Sequence, residues 1–186
     1  MIRGRKRKPG QRYPSGKRVR GETEREAMST VIGARQRHYG VSAPQARDPR
    51  LGTALGRLAF HEIISDAQYQ AGSAFAELYQ RHHAVLGLPA PSPASIAGLL
   101  INEGIFGSGP SEPLLEVIEK LKRRFEAATD ALDDCDREHR FAAGRRPTLL
   151  IYRIVCLDED AIRWPLVDIG NLRLALNALV RLFRLE

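Results

Sequence analysis

Cysteine is scarce. Cys135 and Cys156 are the only two, too few for a disulfide framework and not spaced as a CxxC pair, so a stapled secreted scaffold does not fit. Each lies in an apolar helical pattern, where a buried reduced thiol is expected. Long apolar runs are missing as well: none approaches the roughly 18 residues of a membrane span. The basic N-terminus has no apolar segment behind it, so no secretory signal is visible and a cytoplasmic, nucleoid-associated location is expected. The five histidines, His38, His61, His82, His83 and His139, form no HxxxH or HExxH arrangement, and no cysteine stands at ligand spacing to them, which leaves no metal motif. No serine has a nucleophile-elbow context. The acidic clusters Asp133-Asp134-Asp136 and Asp158-Glu159-Asp160 read as helix-surface and helix-start charges, because a working acid/base pair needs a cleft to place and desolvate it. Neither an enzyme nor a cofactor is indicated.

Carboxylates are absent from one place in particular. Residues 1–20 hold Arg3, Arg5, Lys6, Arg7, Lys8, Arg12, Lys17, Arg18 and Arg20 with no Asp or Glu. That leaves 20 of the 29 basic residues to face all 22 acidic ones, a net of −2 over the rest of the chain. The pI of 9.8 therefore belongs to an arm. With Pro9-Gly10 and Pro14-Ser15-Gly16 turn signals and nothing to bury, the arm is expected to be disordered until it meets a polyanion. Nucleic acid is the first candidate, since each neutralised phosphate releases counterions. Solubility or nuclear import is the plainer use of such a block. The stretch from Gly10 to Arg18 imitates a phosphate-binding loop, yet it has one residue too many between its glycines and Arg18 where Ser or Thr should hold magnesium. Nucleotide binding there is rejected.

At 186 residues and 20.7 kDa the chain suits one domain or two small ones. The pattern predicts a mainly α protein. Glu22 to Tyr39 reads as a first helix ended by Gly40. Asp48-Pro49, a cap followed by proline at the first helical position, opens a second helix to about Ile63 carrying Leu51, Leu55 and Leu58. Ser65 to Gln68 fits a capping box before a third helix with Ala71, Phe75, Leu78, His82 and Val85 on one face. Small residues at Gly52, Gly56, Ala59, Ala71 and Gly72 would let these two helices approach closely. Leu88 to Ser111, rich in proline and glycine, reads as a linker or loop. Ser111-Glu112-Pro113 then starts the longest helix, with Leu114, Ile118, Leu121, Phe125, Ala128, Leu132 and Cys135 at alternating steps of four and three. This seam serves either a coiled-coil dimer or, preferably, internal packing. The expected division is an arm (1–21), a helical unit (22–87), the linker (88–111) and a C-terminal unit (112–186).

In that last unit Leu149 to Leu157 reads as a helix, although Ile151, Tyr152, Ile154 and Val155 would also suit a buried strand. Asp158 to Trp164 is expected to form a short helix stopped by Pro165. Asp168 is expected to cap a final helix with the stripe Leu172, Ala175, Leu176, Leu179, Leu182 and Phe183. Two short helices, a tight turn and a longer helix make a helix-turn-helix-like unit. Opposite the apolar stripe, Arg173, Asn177, Arg181 and Arg184 line one face. Arg can bridge O6 and N7 of guanine, and Asn can pair with N6 and N7 of adenine, so these four are the candidate base-reading residues; a solvated face is the plainer alternative.

Three segments, Lys8 to Lys17, Leu51 to Leu58 and Asp66 to Gly72, resemble uncharacterised proteins of alphaproteobacterial phages and prophages. Asn171 to Leu185 is similar to the final helix of a domain in alphaproteobacterial helix-turn-helix regulators, including regulators of gene-transfer-agent clusters. The resemblance implies a transcription activator or antiterminator that contacts DNA, RNA polymerase or both, as a monomer or homodimer. Two other readings stay open: a packaging or assembly protein resembling a small terminase subunit, with the heptad helix building a ring, and a protein-interaction module without DNA.

Overall fold

The computed structural model describes residues 14, 17, 21–86 and 115–185. It is mainly helical, with six α-helices and no strand among the described residues. The chain divides into two compact units, Met1–Asp48 and Pro49–Glu186. This places the boundary before the second helix and not at the Pro/Gly-rich stretch, because the residues on either side of that stretch share one core.

In the first unit, α1 (Gly21–Tyr39) stops at Gly40. Its φ of +64° is the left-handed conformation that glycine takes without a Cβ clash. A single 3-10 turn, Gln45–Arg47, follows. Arg35 holds it to α1, its Nη1 donating to the carbonyls of Ala46 and Asp48 at 3.0 and 3.1 Å.

The second unit opens with a 3-10 turn at Pro49–Gly52, and α2 (Ala54–Phe60) begins only after Thr53. The expected continuous helix from Asp48 is broken there. Thr53 is extended and its side chain accepts from Gly56 N, while Asp158 Oδ1 accepts from Ala54 N at 2.6 Å, so the α2 N-terminus is capped twice. Gly56 sits against the 3-10 turn, where a Cβ would fall 2.0 Å from the Arg50 carbonyl oxygen. Gly72 on α3 (Asp66–Val85) lies against Leu55 and Leu176. The small residues do permit close approach, then, with Gly56 serving the turn and Gly72 the helix packing. The Ser65–Gln68 capping box is present in full.

The long helix α4 (Leu115–Glu138) turns its heptad seam inward. Ala128, Leu132 and Cys135 are buried and Leu121 and Phe125 pack against the core, while Leu115 and Val117, which stand off the seam, are 77% and 55% exposed. Internal packing therefore holds for the seam from Leu121 to Cys135, with Ile118 half-buried ahead of it. Phe125 stacks on His82 at 4.0 Å and belongs to an aromatic cluster with Phe75, Tyr79 and Tyr152. Helix α5 (Pro147–Ile151) runs into one π-helical turn, Tyr152–Cys156, which answers the helix-or-strand question for this segment. Burial lifts the Cys156 thiol to about 12, far from the range of a reactive thiolate.

No short helix forms over 158–164. Asp158 takes a φ of +50° to cap α2, Glu159 forks onto the Arg153 guanidinium, and Asp160 faces Arg57 at 3.8 Å. These acids tie a loop down; they do not start a helix. The final helix α6 (Leu166–Phe183) therefore follows the π-helical turn after a nine-residue connection. Its Leu172, Ala175, Leu176 and Leu179 are fully buried among α3, α4 and α5.

Candidate nucleic-acid interface

Helix α6 owes its position to a clamp at its first turns. Pro165 occupies the N-cap with no side-chain hydrogen bond, so Asp168 is not the expected cap. It lies inside the helix, 3% exposed, where its carboxylate accepts from Arg145 N and Arg145 Nε, both at 2.8 Å. These donors hold the Asp168 carboxyl below its ordinary range, the backbone N–H contributing most. One turn on, Asn171 Nδ2 donates to the carbonyls of Ala143 and Arg145 at 2.8 and 2.9 Å. Between these residues runs Gly144 at a φ of +89°, so near that a Cβ would stand 2.7 Å from Asp168 Oδ1. The Arg145 guanidinium lies over the Trp164 ring at 5.0 Å. Arg153 approaches the same ring at 5.8 Å and its partner Glu159 is held below the ordinary carboxylate range chiefly by that hydrogen bond.

The four candidate base-reading residues are all exposed, Arg173, Asn177 and Arg181 on one face of α6 and Arg184 just past its end. The fold treats them differently. Arg173 reaches the turn before α3, its Nε donating to Ile63 O at 2.7 Å and its Nη2 donating to the same oxygen. Asn177 Oδ1 accepts from Gln68 Nε2 at 2.8 Å. Both therefore fasten α6 to the start of α3. Arg181 and Arg184 stand farther along, and Arg184 is the helix C-cap, with φ 55° and ψ 46°.

Of the basic arm, only Lys17 is among the described residues, and it is exposed. Arg3, Arg5, Lys6, Arg7, Lys8, Arg12, Arg18 and Arg20 lie outside them. Among the described residues no group of His, Cys, Asp and Glu could hold a metal ion, and no helix is long and apolar enough to cross a membrane. The sequence reading missed the residues that carry the clamp, Arg145 and Asn171. An Asn inside an otherwise apolar stripe was the available signal, since a buried amide needs partners. Compared with protein-family models, characterised proteins and solved structures, the chain matches none.

Proposed function

We propose that the chain is a DNA-binding regulator of the phage type, in which the arm supplies affinity and the helical body supplies contacts to a partner such as RNA polymerase. The observation that carries this reading is the separation of charge: nine basic residues and no carboxylate in the first 20 positions, against a remainder of net −2. A polyanion is the natural counterpart of such a block, and duplex DNA presents phosphates at high density. Base reading by Arg173 and Asn177 requires them to leave Ile63 and Gln68, so in this reading Arg181 is the residue of the α6 face best placed to add specificity.

The test is binding to duplex DNA over a range of salt. If about five arm charges meet phosphates, log K falls with log salt at a slope near −4.5, and removing residues 1–20 abolishes most of it. An unchanged slope in the truncated chain refutes the reading. Assembly through α4 is the second reading, favoured by the exposed Leu115 and Val117. Native mass measurement separates them, a ring of many subunits favouring assembly and packaging.

A further inference from the structure

We infer that the groove between Arg124 and Arg184 docks an acidic segment of a partner protein that also carries apolar side chains. The groove lies where α3, α4 and the end of α6 meet, and it is open to solvent with a volume of about 440 Å³. Its lining is mostly apolar, with Ala74, Ala127, Phe183 and Leu185 beside the polar Gln70, and Arg124 lines it from α4 and Arg184 from just past the end of α6. Both are exposed. No described carboxylate pairs with either guanidinium, and Glu77, on α3 nearby in sequence, is already paired with Arg81 at 3.6 Å.

The end of α6 adds a second, independent observation. Arg184 is left-handed at the position after the helix, where glycine is the least strained residue. That conformation lets Leu185 N bond back to Val180 O at 3.1 Å, which folds Leu185 against the core beside Leu182 and Phe183. One turn thus builds the floor and sets a guanidinium at the edge.

Charge complementarity selects the occupant. Two arginines call for carboxylates, which they can grip in a planar, bidentate manner, and the floor calls for a Leu or Phe side chain to leave water. An acidic, apolar peptide satisfies both demands. Duplex DNA satisfies only the first, because its phosphates bring no apolar group to the floor. The inference stands whether or not the arm holds DNA.

The probe is a synthetic amphipathic peptide of Leu and Phe interspersed with Asp and Glu, titrated into the ¹⁵N-labelled full chain, with a copy carrying Lys at every acidic position and a DNA duplex as the comparison ligands. The acidic peptide should shift the amides of Ala74, Ala127, Phe183 and Leu185, and the Lys copy should not. Arg124→Ala and Arg184→Gly should each weaken binding about tenfold, the loss of one charge-assisted contact. Arg184→Gly relaxes the left-handed position, so its thermal midpoint should not fall, and its weaker binding cannot be laid to unfolding. Shifts confined to the basic arm, equal binding by the Lys copy, DNA moving these amides where the peptide does not, or unchanged affinity in Arg184→Gly each overturn the inference.

Discussion

Replacing Asp168 by Asn tests the clamp that places α6. The carboxylate is almost fully buried and accepts from both the backbone and the guanidinium of Arg145. An Asn side chain keeps one oxygen, which can still accept from Arg145 N, but it loses the charge and turns an N–H toward a donor. Losing one charge-assisted hydrogen bond of this kind costs about 1.5–3 kcal/mol. The cost should also depend on pH in a defined direction. Because the folded carboxyl is held below its ordinary value of 3.8, the unfolded chain takes up the proton first as pH falls. The stabilisation is therefore complete above that value and is lost as pH drops through the lower, folded one. Urea unfolding of both proteins across a pH series reads the effect directly. The gap should be widest near neutrality and close in acid, where a protonated Asp168 resembles Asn. A gap that stays constant from neutral to acidic pH would show that shape, not charge, holds the clamp, and the argument fails.

Two further outcomes follow from the same geometry. Gly144→Ala should destabilise the fold by about 1–3 kcal/mol, since the position combines positive φ with a Cβ 2.7 Å from Asp168 Oδ1; calorimetry showing an unchanged midpoint would contradict this. Alanine at Gln68 and at Asn177, singly and together, should reveal a coupling of about 1 kcal/mol in a double-mutant cycle. Strict additivity would mean that Asn177 does not serve α3 and is available for another ligand.

What could be read from the sequence was what is local. The Gly40 stop and the Ser65–Gln68 box depend on neighbours three or four residues away, and both formed as expected. The helical character and the buried stripe of α6 followed from spacing alone. The failures came from partners distant in the chain. Asp168 looked like a cap because Arg145, 23 positions earlier, is invisible to a local pattern. Asp158, Glu159 and Asp160 looked like a helix start, yet their partners include Ala54 and Arg57 in another helix. The arginine and asparagine face of α6 was correctly placed on the surface, but the use of Arg173 and Asn177 depends on a turn about a hundred residues away.

Gln68 is the residue where the two kinds of information meet. Its carbonyl oxygen accepts from Ser65 N, a bond that closes over one turn and can form before any other helix is present. Its amide nitrogen donates to Asn177, a contact that must await most of the chain. With the oxygen already committed, the side chain loses little further rotational freedom when α6 arrives. The local bond thus lowers the entropy that the distant one costs, and a single amide serves both the start of α3 and the seating of α6.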